Sequence, residues 1–270
     1  MPGLQQSVAK CLAEWVVPFS NGRILLSPVC CGPEACRHSF PDCWIEAVVT
    51  DQTDRRADSA RAPLVRAAAQ QFAHKPYSLV NLDDVVAAVD VTRGGMYFHF
   101  PSKQALAIAV IDEADKLGRE AAAGVLASKL SGLETLIDLS YLVAVLDLSD
   151  DMARAGLYLL ESIGRADGIE ERSLRELVNA LSQIARRAVD EGDIAAGRDP
   201  DDVARLLVSM YIGVRHTSDL DAPRQFLLDI EKAWKLLLPG FANPERMGYL
   251  QQFVHRRTAV ALGKMTLPNC

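Results

Sequence analysis

Residues 90–103 read DVTRGGMYFHFPSK. Two adjacent glycines, Gly94 and Gly95, precede a five-residue run in which four side chains are aromatic or imidazole, with Arg93 on one side and Lys103 on the other. Each glycine in a helix costs up to about 1 kcal/mol relative to alanine, so folding stability alone gives no reason for the pair. Thr92 is suited to cap a helix that starts at Arg93. Upstream, SLVNLDDVVAAVDV (78–91) offers Asn81 as an N-cap, with Asp83 and Asp84 in the first turn where the helix dipole favours negative charge. Leu82, Val85, Val86 and Val89 complete a short apolar face there, and Asp90–Val91 make a tight turn.

Working outward, residues 58–74 carry Val65, Ala68, Ala69 and Phe72 at helical spacing. Asp58 or Ser59 caps that helix, Pro63 is tolerable in its first turn, and Pro76 forbids continuation. After the aromatic run, Pro101 and Ser102 open a further helix with Ala105, Ile108, Ala109 and Ile111, continuing well past Lys116. Two short helices joined by a tight turn behind a supporting helix predict a helix-turn-helix unit, whose second helix enters the major groove of DNA. The glycines then have a use: without side chains, the backbone approaches bases or phosphates closely. Thr92 and the free N–H groups beside it suit a phosphate. Arg93 reaches a base edge or phosphate, Tyr97 and His99 donate to phosphate, and Lys103 adds a point charge. Met96, Phe98 and Phe100 are read as the core side. An aromatic core patch between helices is the alternative, and it explains neither the glycine pair nor the flanking bases.

The charge distribution singles out the same segment. Lys plus Arg against Asp plus Glu number 3 and 6 in residues 1–54, 7 and 4 in 55–105, and 19 and 25 in 106–270. The net charge of −6 therefore conceals one basic stretch. Aliphatic, alanine-rich composition with 6% aromatics predicts an all-α protein. No run of about eighteen uncharged apolar residues implies a membrane span, and no secretory leader pattern opens the chain, so a cytoplasmic location and no membrane partner are expected.

Five of the six cysteines, Cys11, Cys30, Cys31, Cys36 and Cys43, fall near the N-terminus, with His38 among them. Their spacing lacks paired C-x₂-C knuckles, so no metal site and no cofactor are assigned. Residues 1–54 read as an extension, poorly ordered or preceding a true start at Val48 or Val49. Residues 55–117 form the DNA-binding head, 118–245 a helical regulatory and dimerisation domain, and 246–270 a C-terminal tail.

In the acidic remainder, helices are expected over Leu133–Leu146, Asp150–Ile163, Ser173–Glu191, Val203–Arg215 and Pro223–Leu238, the last stopping at Pro239-Gly240. Val203, Leu206, Leu207, Met210 and Val214 share one face, as do Phe226, Leu227, Ile230, Trp234 and Leu237. Such a pair of helices could pack against its symmetry mates as a four-helix interface; ordinary core packing is the alternative for each residue. No catalytic motif appears, neither H-E-x-x-H nor G-x-S-x-G nor a phosphate-cradling loop, and no enzymatic activity is expected. Apolar helices with sparse polar tips suit a cavity for a small, largely apolar ligand.

The run LDDVVAAVDVTRGGMYFHFPSKQALAIAVIDE (82–113) resembles the DNA-binding head of the tetracycline-repressor (TetR) family. By that resemblance Thr92, Arg93, Gly94, Gly95, Tyr97, His99 and Lys103 would contact DNA, and Asn81 would contact a phosphate. The strings GLETLIDLSYLVAVLDLSDDMARAGLYLLES, GDIAAGRDPDDVARLLVSMYIGV and KAWKLLLPGFANP are similar to the actinobacterial γ-butyrolactone-receptor branch. Together the similarity spans about residues 55–245. It implies a homodimeric repressor on a pseudo-palindromic double-stranded operator, released by a small, hydrophobic, lactone-like effector. Two other readings stand beside it: a helical ligand-binding protein or enzyme with a degenerate head, and a metal- or redox-sensing regulator using Cys30, Cys31, Cys36 and Cys43.

Overall fold

In a computed structural model of the chain, residues 60–165 and 168–266 are described. The N-terminal cysteine cluster and the two candidate starts lie outside the described residues. Helix α1 runs over 60–74 and a single 3₁₀ turn over Tyr77–Leu79. Then come α2 (Leu82–Ala87), α3 (Arg93–His99), α4 (Lys103–Leu126), α5 (Gly132–Ser149), α6 (Asp151–Ile163), α7 (Ile169–Asp190), α8 (Pro200–Thr217), α9 (Pro223–Phe241) and α10 (Met247–Thr266). Among the described residues no strand forms; the one β-type pairing is an isolated antiparallel bridge between Ile194 and Ala242. The fold is all-α. No described helix is long and apolar enough to cross a membrane.

Local signals place α2, α3 and α4; the cap expected for α1, Asp58 or Ser59, lies outside the described residues. The Asn81 side chain accepts from the Asp83 N–H, that of Thr92 from Gly95 and that of Ser102 from Ala105, each satisfying one of the donors a helix start leaves orphaned. Val65, Ala68, Ala69 and Phe72 of α1 meet Val80, Val85, Met96 and Phe100 in one buried cluster. The first half of α4 closes it with Leu106, Ala107, Val110 and Ile111.

This core does not end with the head. Ala155 and Leu159 of α6 and Ile169 of α7 are buried in the same cluster, and α6 lies along α4. At their crossing Gly156 faces Ala114, and any Cβ on Gly156 would collide with the methyl of Ala114. Glycine is therefore what allows the two helices to approach. His74 at the end of α1 reaches Asp151 at the start of α6, Nε2 to Oδ1 3.0 Å. From Arg61 onward the chain clusters as a single unit.

A second core is built around α5. A reciprocal capping box, Ser131 with Glu134, starts that helix, and α4, α6, α7, α9 and α10 all pack on it. Trp234 is fully buried and its Nε1–H donates to Ser140 Oγ at 2.8 Å. Tyr141 and Thr258 share a buried hydroxyl–hydroxyl hydrogen bond of 2.7 Å.

The structure corrects three expectations for this half. Helix α9 does not stop at Pro239-Gly240 but runs through Pro239 to Phe241. Phe241 is buried, its carbonyl accepts from the Ala195 N–H at 2.9 Å, and these contacts outweigh the one backbone bond a proline removes. Residues 247–266, set apart as a tail, form α10, which buries Leu250, Phe253, Val254 and Ala261 against the body. Because α8 packs on α7 and α9, and α9 packs on α5 and α10, Val203, Leu207, Phe226, Leu227, Ile230 and Trp234 are covered within the chain itself and are core, not a free face for a partner. Of the apolar side chains on α8 and α9, Leu206 and Leu236 do point outward. A smaller difference is that α7 begins at Ile169, four residues before Ser173.

Candidate nucleic-acid interface

The tight turn after α2 is held by Ala88, Val89 and Val91 N–H groups donating to Val85, Val86 and Val89 carbonyls. It delivers Thr92 as the N-cap of α3, a seven-residue helix with two sharply different sides. Met96 is fully buried and Phe100, just past the helix in extended backbone, is nearly so. Arg93, Gly94, Tyr97 and Phe98 are exposed, while Gly95 and His99 sit at the edge between the two sides.

Phe98 corrects the sequence reading, which set it with Met96 and Phe100 toward the core. It is 77% exposed. Alternate residues share a side only in extended chain; on a helix, positions two apart lie about 200° around the axis from each other. Met96 and Phe100 are four apart and meet inside, so Phe98 must face out.

Arg93 pairs with Asp83 of α2, NH1 to Oδ1 3.2 Å, with both side chains more than half exposed. Exposed pairs of this kind hold by about 0–1 kcal/mol, so the guanidinium is available to a stronger anion. Asp84 is similarly met by Lys75 at 3.6 Å, which tempers the negative charge at the start of α2. Asn81 is exposed and caps α2; its Oδ1 is taken by the Asp83 N–H at 3.0 Å, leaving its amide donors outward. His99 is flanked by the rings of Phe98 and Phe100, with centroids 5.4 and 6.4 Å away.

Lys103 departs from its expected role as a free point charge. Its Nζ donates to the Val80 carbonyl at 2.5 Å and the Ser78 carbonyl at 3.5 Å, and lies 4.7 Å from the centre of the Tyr77 ring. Burial lowers its pKa from the ordinary lysine value. The ammonium ties the 3₁₀ turn and the entry to α2 onto the start of α4, which braces the interface from behind.

The glycines also differ from one another. A Cβ on Gly94 would meet nothing closer than Thr92 Oγ1 at 3.9 Å, whereas one on Gly95 would sit 3.1 Å from a Val91 methyl. The fold itself has room at Gly94 and little at Gly95. Sequence reasoning missed Phe98, although the four-residue spacing from Gly94 was the signal that could have found it.

Away from the interface, a buried ion-pair network lies where α6 meets α5 and α8. Arg215 is bound by Asp147 (Nε to Oδ2, 2.7 Å) and by Glu161 (NH1 to Oε2, 3.1 Å). Tyr211 donates to the same Asp147 at 3.3 Å, and Arg154 Nε to the Asp147 carbonyl at 2.9 Å. Burial alone would lower the Arg215 pKa; the Asp147 carboxylate beside it more than reverses this, so it is raised. Burial, reinforced by Asp147, also pushes the Tyr211 hydroxyl well above its usual range. The network ties α6, the helix that closes the head core, to α5 and α8.

Residues 64–110 match the family described as "Bacterial regulatory proteins, tetR family". Over 198 residues the chain is 26% identical to the A-factor receptor protein of Streptomyces griseus, covering 73% of this chain and 68% of the relative. Among solved structures, a γ-butyrolactone receptor described as ArpA-like is 27% identical, with a TM-score of 0.62 over 76% of this chain and 98% of the other. CprB of Streptomyces coelicolor, a TetR-family protein solved with its biological operator sequence, is 26% identical, with a TM-score of 0.62 over 74% of this chain and 97% of that one. Head, fold and likeness agree: residues 64–110 match the tetR family of bacterial regulatory proteins, and the chain as a whole is similar to the γ-butyrolactone receptors.

Proposed function

We propose that this chain is a ligand-responsive transcriptional repressor that binds a pseudo-palindromic DNA operator as a homodimer in the cytoplasm and releases it when a small hydrophobic effector enters the body. The carrying observation is α3, whose inner side is sealed by Met96 and Phe100 and whose outer side offers Arg93, an open Gly94, Tyr97 and Phe98. One such helix makes too few contacts alone, and a dimer gains by spanning half-sites roughly 34–36 Å apart. In this reading Arg93 leaves Asp83 for a base edge or phosphate, Tyr97 and His99 donate to phosphate, and Thr92, Gly94 and Gly95 bring backbone N–H groups to the duplex. The Asn81 amide approaches a phosphate at the start of α2. Lys103 supports the site by holding the turn.

Regulation then requires that the body and head move together. Helix α6 belongs to the head core through Ala155 and Leu159 and to the body through Glu161. An effector that favours a different seating of α6 changes the tilt of α4 and so the spacing of two heads. A difference of about 1–3 kcal/mol between the two states is the typical scale. Similarity to proteins named A-factor receptor and γ-butyrolactone receptor supports an effector of that kind, a small lactone.

The test is selection of duplexes from a random pool by the full chain, followed by binding titration with and without a lipid extract of the source organism. Enrichment of one inverted-repeat sequence, and its release by the extract, is the expected result. Failure to enrich any sequence would refute the DNA-binding reading.

A further inference from the structure

The outer side of α3 carries one group that cannot serve the roles assigned so far. Phe98 has no donor or acceptor, so it contributes nothing to a phosphate contact, yet it is among the most exposed large apolar side chains of the described residues. Exposed apolar side chains occur singly on most surfaces, and exposure alone would mean little. Three further observations give this ring a purpose. It stands one helical turn from Gly94, itself exposed and with open space where a side chain would be, so the strip between them is clear for another molecule's edge. Arg93 and Tyr97, the polar side chains of the same short helix, are exposed as well, so polar anchors and the ring are offered to solvent by one element. Finally, the His99 ring packs edge-on against it, 5.4 Å between centroids with planes at 84°, which restrains its direction without covering it.

In the major groove the base edges present donors and acceptors, together with one apolar group, the C5 methyl of thymine. Building on the DNA-binding reading above, we propose that Phe98 is a specificity-determining residue that packs its ring against a thymine methyl in each half-site. Arg93 and Tyr97 anchor the helix; Phe98 makes one position of the operator prefer thymine over every base lacking that methyl.

The experiment uses the full-length protein and the duplex it enriches from a random pool. Each thymine of the enriched site is replaced in turn by deoxyuridine, which removes the methyl and nothing else, and affinity is read by fluorescence anisotropy. At one position per half-site the wild-type protein should lose roughly fourfold, the factor that one methyl buried against an apolar surface is worth. Phe98→Ala should bind the thymine duplex more weakly and show no further loss with deoxyuridine at that position, and Phe98→Leu should restore part of the discrimination. Thermal melting of both variants should match wild type, since the ring is exposed. Phe98→Ala binding with unchanged affinity, or keeping the full deoxyuridine penalty, would overturn the proposal while leaving the regulator reading intact. A wild-type protein that enriches no sequence would instead remove the reading on which it rests.

Discussion

Two cations in the head look alike in sequence and differ in the structure. Arg93 stands exposed in a loose pair with Asp83, whereas Lys103 is turned onto the carbonyls of Ser78 and Val80. Arg93→Ala should therefore weaken DNA binding and reduce its salt dependence by about one unit of log–log slope, with little change in melting temperature. Lys103→Met should do the opposite. It should cost about 1.5–3 kcal/mol of head stability, the scale of a hydrogen bond to a charged group, and leave the salt slope near that of wild type. Titrations at several salt concentrations, with thermal melts of both variants, separate the two roles. At this scale the sequence was most legible where the cause is local: Asn81, Thr92 and Ser102 cap because hydroxyl and amide side chains compete for the first free N–H groups of a helix. It was least legible where direction matters. MYFHF alternates as a strand would, and only the helical turn imposed by its surroundings turns Phe98 away from Met96.

Among the elements, α6 is the one through which the proposed coupling runs. Its crossing with α4 has no space for a side chain at position 156, so Gly156→Val should destabilise the chain by about 1–3 kcal/mol through overpacking and alter effector release more than a surface change would. In the network at its other end, Arg215→Met should cost about 3–5 kcal/mol because it leaves the buried Asp147 carboxylate unmatched, and Asp147→Asn should cost less because Glu161 still pairs with Arg215. The paired variant Asp147→Leu/Arg215→Met should cost less than the sum of the two, and denaturant melts of all three test this directly. The sequence placed α4, α5 and α6 well, since strong apolar faces and caps mark them. It did not show that Asp147 and Arg215, 68 residues apart, would meet, nor that α6 would complete the core of the head. Long-range pairing leaves no periodic trace. The faces of α8 and α9 were misread for a related reason: amphipathicity says that a face is covered, not whether the cover is a symmetry mate or a helix of the same chain, here α7 for α8 and α10 for α9.

For the molecule as a whole, the basic head sits on an acidic body, and the body's acids are partly structural. Glu231 is 8% exposed and shared between Lys235 and His255. Burial would raise its pKa, but hydrogen bonds from those two side chains more than reverse this and hold it below the usual carboxylate range. Glu134 and Asp229 are lowered in the same manner. A carboxyl whose pKa is depressed by folding stabilises the fold above its unfolded value, and that contribution is lost as pH falls through the folded value. Stability measured by denaturant from about pH 7 down to about pH 3 should fall on the acid side, and Glu231→Gln should flatten that fall.

One measurement reaches the central claim, that a helix turn without side chains lets the backbone of α3 press against DNA. Gly94 is exposed, and the protein leaves room for a methyl there, so its glycine has no folding reason. Thermal melting and DNA titration of Gly94→Ala beside wild type, on the duplex that wild type enriches, decide the matter. The account predicts a protein stabilised by up to about 1 kcal/mol whose affinity for that duplex falls tenfold or more, on the order of 1.4 kcal/mol. A variant that is more stable and binds the duplex as tightly as wild type would contradict it.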